Sequence, residues 1–244
     1  MKLEITIPEK LNEITLGQYQ QWLKVAEGKE ITPFLQQKMI EIFCNVTLKQ
    51  VLMIKATDID SITNDINKVF EEKPKLITMF KLNEMEFGFI PKLDEMTFGE
   101  YVDLDSYLPN WETMHKAMNV LFRPVTYKKK EKYLVSDYEG SGKYDLRNMT
   151  LDIVFGSIVF FLEFKKRITE SYPELFGESE GNNHLSRTEG FSQKWGWYQS
   201  LYGLSKGNIM KLDEITKLKL HQCLQHLAFE KDKYELETQM LKKK

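Results

Sequence analysis

The chain has 244 residues, 42% hydrophobic and 12% aromatic, with a formal net charge of -2 and a pI near 6.2. This composition excludes a disordered chain, and the charge balance gives no global argument for nucleic acid as a partner. The two cysteines, Cys44 and Cys223, lie far apart in apolar helical patterns and read as buried free thiols, which points to a reducing compartment.

Residues 2–7 alternate polar and apolar side chains, the period of a half-buried strand, ended by Pro8. No secretory leader is expected from that alternation. The phrase Glu13-Ile-Thr15-Leu-Gly17-Gln18-Tyr19 follows and is echoed at Glu95-Met-Thr97-Phe-Gly99-Glu100-Tyr101. In each, threonine precedes glutamine or glutamate by three positions, the capping-box spacing that opens a helix. Thr47 and Gln50 repeat the device.

The first helix runs to about Glu27 and breaks at Gly28, and a second opens at Pro33. Shorter helices are predicted over 48–55 and 58–71. A hairpin around Asn83 joins Leu76–Phe80 to Glu86–Ile90, and Pro91 closes it. The echoed phrase opens a helix over 98–108, and another runs from Asn110 or Trp111 to Phe122, ended by Pro124. Val125–Tyr127 and Tyr133–Val135 form a second hairpin around a lysine-rich turn. A polar loop with Gly140 and Gly142 leads to an apolar helix from Thr150 to about Glu170. That helix contains Asp152 and Glu163 and falls short of the about 20 apolar residues that a bilayer span requires. Residues 171–192 read as a linker, and a long helix fills the C-terminal region.

The expected fold is therefore α+β and predominantly α-helical, a mixed body with two small β-hairpins plus an all-helical C-terminal piece. Its divisions are 1–92, an α+β half; 93–170, a second such half forming one body with the first; the linker 171–192; and the helical region 193–244. The echoed phrases fit either a weak duplication of the first half in the second or the chance recurrence of capping boxes at helix starts.

No catalytic residue emerges. His221 and His226 are five apart, about 140° around a helix, so they do not form a joint metal site, and no metal or cofactor is expected. Asp103 and Asp105 follow Glu100 on a helix, where acids serve the helix dipole. Gly140-Ser-Gly142-Lys143 lacks the four-residue spacing and the Ser or Thr of a phosphate loop. The lysines at 128–130 and 132 belong to a solvated hairpin turn and could touch phosphates.

The cluster Trp195-Gly196-Trp197-Tyr198 differs in kind. On one helix Trp195, Tyr198 and Tyr202 would share a face, while Trp197 aligns with Leu201 and Leu204. Gly196 and Gly203, seven apart, would let another backbone come close. Aromatics in such density suit a docking face, either for the chain's own body or for a partner.

The run Trp195-Gly-Trp197-Tyr198, then Gly207-Asn-Ile209 and Asp213-Glu-Ile215, resembles the C-terminal part of tail-assembly-chaperone-like proteins of tailed bacteriophages. Phe89-Ile-Pro91 through Gly99-Glu-Tyr-Val-Asp103-Leu, with Leu121-Phe-Arg-Pro124-Val, is similar to structural-block proteins of phages of Bacteroides-type hosts, including crAss-like phages. There a tyrosine stands where this chain has Phe122. The resemblance implies a morphogenesis protein that holds a long virion protein, tape-measure-like or internal, without catalysis. Trp195, Trp197, Tyr198, Leu201 and Tyr202 would be its protein-binding residues. It would act in the host cytoplasm, with neither membrane nor nucleic acid as partner and an oligomer left open. The alternative is a virion component such as a neck or tail ring subunit or packaged cargo. A nucleic-acid-processing enzyme using acids near Asp94–Asp105 and the lysines at 128–132 ranks last.

Overall fold

A computed structural model of the protein describes residues 4–130, 132–176 and 194–242. The fold is α+β and mostly helical, as expected, and no helix among the described residues is long and apolar enough to cross a membrane. The chain forms two compact units, each assembled from two separated stretches. One is Met1–Phe89 with Tyr107–Phe160, and the other is Ile90–Ser106 with Phe161–Lys244. This division differs from the sequence partition at 92/93 and 170/171, because each unit closes on a helix that arrives late in the chain.

In the first unit, a 3₁₀ turn at Leu11–Glu13 leads into helix α1 (Leu16–Ala26). Thr15 caps that helix: Gln18 N–H donates to Oγ1 at 3.2 Å, and the Thr15 N–H donates to Gln18 Oε1 at 2.9 Å. Helices α2 (Pro33–Phe43), α3 (Leu48–Val51) and α4 (Ala56–Val69) follow. They bury Met39, Ile40, Ile42, Phe43, Ile66 and Val69.

Residues 4–9 form no strand, although exposure still alternates up to buried Pro8. An alternating segment needs a hydrogen-bonded neighbour to become a strand, and none lies beside it among the described residues.

The two hairpins join into one antiparallel sheet of β1 (Met79–Leu82), β2 (Met85–Phe89), β3 (Phe122–Lys129) and β4 (Lys132–Val135), in that order. Asn83 (φ 48°) and Glu84 (φ 65°) make the first turn, the twin positive-φ geometry that suits a two-residue hairpin. Pro124 does follow a helix, α6 (Met114–Leu121), yet it sits inside β3 opposite Phe87. A proline within a central strand forfeits a ladder donor, and the β3–β4 register is irregular just beyond it, between Val125 and Tyr127.

Helix α5 (Phe98–Tyr107) opens on the echoed phrase, and α7 (Leu151–Ser171) is the long apolar helix. Of the expected linker, residues 171–176 finish α7 and form the short helix α8 (Pro173–Phe176), while 177–192 lie outside the described residues. The second unit continues with α9 (Trp197–Leu204), α10 (Leu212–Thr216) and α11 (Leu220–Lys242).

Both echoed phrases make the same contact, once in each unit. In the first, Leu16 N–H donates to Met149 O at 2.8 Å and Leu151 N–H donates to Ile14 O at 2.9 Å. These bonds bracket a bridge between Thr15 and Thr150 at the start of α7. In the second, Phe98 N–H donates to Leu218 O at 2.8 Å and Leu220 N–H to Met96 O at 2.9 Å, around a bridge between Thr97 and Lys219 at the start of α11. The likeness extends upstream to matching 3₁₀ turns at Leu11–Glu13 and Leu93–Glu95. It extends to the glycines as well. A Cβ on Gly17 would meet Arg147 O at 3.2 Å, and one on Gly99 would meet Thr216 Cβ at 2.9 Å. The repeated element is thus a capping-box helix clasped to the first residues of a long helix, and the two copies fall in different units.

Both cysteines are buried, and burial pushes each thiol up to about 11.

Three glycines give a stability series. Gly156→Ala drives a methyl into the Lys75 carbonyl, and Gly99→Ala drives one into Thr216. Each should cost roughly 1–3 kcal/mol or more. Gly203→Ala meets open space within α9 and should gain about 0.5–1 kcal/mol. Urea unfolding of the three variants gives the order directly.

The clasp of the first unit also carries a pH signature. The Arg147 guanidinium, then its backbone N–H, holds the Asp145 carboxyl at about 2, below the usual 3.8. Stability from this pair is present above about pH 4 and is lost as pH falls through about 2. Wild type should therefore exceed Asp145→Asn in urea midpoint near neutrality, with the gap closing across that window.

Candidate protein-binding site

The aromatic cluster belongs to the second unit, and the structure divides it. Gly196 adopts φ 45°, ψ -130° and stands at the N-cap of α9, so the helix begins at Trp197. Trp195 therefore precedes the helix, which corrects the continuous helical face expected from spacing. The break is glycine's own, since that backbone conformation is rarely open to a residue with a Cβ. Trp195 and Tyr198 still meet, with ring centroids 5.7 Å apart, and Lys194 Nζ lies 5.1 Å from the Trp195 ring centre.

Trp197 turns inward. Its indole meets Phe98 and Tyr101 edge-on at 5.6 Å and 5.5 Å, with Phe176 at 6.4 Å. Its Nε1–H donates to Asp105 Oδ2 at 2.8 Å, and the other oxygen of that carboxylate accepts from Lys165. The ring is held by three aromatic neighbours and a charge-assisted hydrogen bond. Asp105 is thereby accounted for as a structural acceptor.

Trp195, Tyr198 and Tyr202 remain 42%, 44% and 58% exposed, and Leu201 is half-buried. The end of α9 is tied down: Gly207 (φ 75°) donates its N–H to Tyr202 O at 2.9 Å, and the buried Ser205 hydroxyl donates to the same oxygen at 3.1 Å. Just beyond, Ile209 and Met210 are 71% and 83% exposed. Gly203 has nothing within 4 Å of a built Cβ, and neither has Gly196. Among the described residues the expected close approach of another backbone is not found there; backbone comes close instead at Gly17, Gly99 and Gly156.

A parallel in the first unit explains Trp197. There Tyr19, the equivalent of Tyr101 in the echoed phrase, meets Trp111 edge-on at 4.8 Å. Each phrase tyrosine thus packs against one tryptophan of its own unit. Sequence spacing alone had no means of pairing Tyr101 with Trp197, since nearly a hundred residues separate them.

The remaining candidates take structural places. Glu100 forms the Thr97 capping box. His221 Nδ1 lies 3.0 Å from the Tyr172 hydroxyl, and His226 is exposed. Among the described residues no group of three His, Cys, Asp or Glu could hold a metal ion. Lys143 pairs with Glu139 in the glycine loop.

The chain finds no match among protein-family models, curated proteins or solved structures.

Two substitutions separate the roles inside this unit. Trp197→Phe keeps ring packing but deletes the N–H donated to Asp105, and should cost roughly 2 kcal/mol. The Tyr101 hydroxyl is buried without a hydrogen-bond partner among the described residues, and burial, with Asp105 adding to it, raises its pKa. Tyr101→Phe should be neutral or stabilising. Thermal melts of both variants test the assignment.

Proposed function

We propose that this chain is a non-catalytic assembly factor of the tail-assembly-chaperone type, holding a long virion protein during phage morphogenesis in the host cytoplasm. The observation that carries the reading is the exposure of Trp195, Tyr198 and Tyr202 around a helix whose neighbouring Trp197 is already committed to the unit's own packing. Large rings left in water beside a rigid anchor are what a binding face requires: contact area without a large ordering cost. The phage context comes from the resemblance of the same stretch to tail-assembly-chaperone-like proteins. Trp197 enters this reading as the anchor of the face, and Leu201 as its apolar floor.

A second reading, a subunit retained in the virion, is favoured by one feature of α11. Phe229, Leu236 and Met240, exposed at 60%, 54% and 59%, follow one another by seven and four residues. At 100° per residue they share the helix side opposite buried Leu220, Cys223 and Leu224. A permanent helix partner would cover such a stripe.

Co-expression with the long structural protein encoded beside this chain should yield a stable complex. Trp195→Ala with Tyr198→Ala and Tyr202→Ala should weaken it at least tenfold in a chain that circular dichroism shows to be folded. Retention of the complex by that triple variant would overturn the proposed face. Mass spectrometry of purified virions separates the readings, since a chaperone is absent and a subunit is present in many copies.

A further inference from the structure

The β3–β4 hairpin of the first unit carries a surface that neither the fold nor the proposed protein-binding face uses. Residues 128–132 hold four lysines and one glutamate in a chain whose net charge is -2. Lys128 is neutralised by Glu86, at 2.7 Å. Lys129, Lys130 and Lys132 are exposed and form no ion pair with a described residue.

Register arranges them with apolar neighbours. Tyr127 pairs with Leu134 across the hairpin, and Lys129 pairs with Lys132. Side chains two apart on a strand, and those directly opposite across the ladder, share a face. One face of the hairpin therefore shows Tyr127 and Leu134, 53% and 59% exposed, followed by two lysines side by side. The opposite face is occupied. There Tyr133 covers Gly88, whose built Cβ would lie 2.6 Å from the ring, and donates its hydroxyl to Phe89 O at 2.8 Å.

Two like charges directly opposite on a hairpin are destabilising, and they are relieved by an anion placed between them. Lysines on an edge strand also discourage sheet-to-sheet aggregation. That role would place charge over the whole face, whereas this face exposes an aromatic ring and a leucine beside the charges. A ring with cations at its side is the combination that binds a single nucleic-acid strand, the ring stacking on a base and the cations following the phosphates. An acidic polypeptide would satisfy the lysines but has no need of the ring.

We propose that this hairpin face binds single-stranded nucleic acid, with Lys129, Lys130 and Lys132 contacting phosphates and Tyr127 stacking on a base. The charge balance of the whole chain did not point to such a partner, because the cations are confined to one tip.

The experiment is fluorescence anisotropy of the full chain with a labelled 20-nucleotide oligo-dT and, separately, a labelled 20-residue oligoglutamate. Binding of oligo-dT should fall with salt at a logarithmic slope of about -2, as expected for three phosphate contacts on a single strand. Lys129→Glu with Lys132→Glu should abolish it. Tyr127→Ala should weaken it about tenfold without changing the salt slope. Circular dichroism melts of each variant confirm that the hairpin's unit still folds, and Lys129→Gln with Lys132→Gln supplies a milder second pair. Absence of oligo-dT binding at low salt overturns the proposal, as does binding that the lysine variants leave intact. Oligoglutamate binding of equal strength, with Tyr127→Ala without effect on either probe, overturns it in favour of an acidic protein segment.

Discussion

Two backbone hydrogen bonds organise each unit: one from the first residue of a capping-box helix, one returned by the first residue of a long helix. The bonds at Leu16–Met149 and Leu151–Ile14 fix α1 to α7, and those at Phe98–Leu218 and Leu220–Met96 fix α5 to α11. Every helix start leaves free N–H donors. Here Leu16 and Leu151, and likewise Phe98 and Leu220, use each other's flanking carbonyls to satisfy them, while the capping threonines serve donors one turn in. Such a bridge demands close approach, and glycine follows the bonded residue of each capping-box helix, Gly17 after Leu16 and Gly99 after Phe98. Gly17 stands over Arg147, where a methyl would be tight, and Gly99 over Thr216, where a methyl would force a shift.

The clasp then dictates which aromatics are available for anything else. It sets Tyr19 and Tyr101 at matching places on their helices, and each needs a large neighbour. Trp111 fills that place in one unit and Trp197 in the other. A tryptophan recruited in this way serves the unit's own packing, however conspicuous it is in the sequence. What stays exposed is what the clasp does not use: Trp195 ahead of the Gly196 break, and Tyr198 and Tyr202 along α9.

Much of this was legible in the residues themselves. Thr15, Thr47 and Thr97 with their partners three positions on announced helix starts, and all three bond as capping boxes. Local chemistry sufficed, because the partners are neighbours in sequence. The turn at Asn83-Glu84 and the lysine-rich hairpin were legible for the same reason. The echo between residues 13–19 and 95–101 was visible too, but not its meaning, since the partners at 147–151 and 216–220 share no obvious phrase with each other. Strand pairing was the weakest inference. Alternation at residues 2–7 is compatible with a strand, yet a strand is defined by a neighbour that alternation cannot supply. Pro124 shows the converse: its fixed φ and missing donor argue for an end, yet it stands inside β3 opposite Phe87, in a pairing that tolerates a lost bond.

The same distinction governs the aromatic cluster. Density of large rings predicted contact, and contact is what every one of them makes or offers, but density does not say with what. The decision rests on a single donor. Trp197 has Asp105 within 2.8 Å of its indole N–H, and a carboxylate already compensated by Lys165 makes that bond favourable to bury. Tyr198 and Tyr202, by contrast, leave their rings in water, where burial on a partner would release ordered solvent at little cost in side-chain freedom.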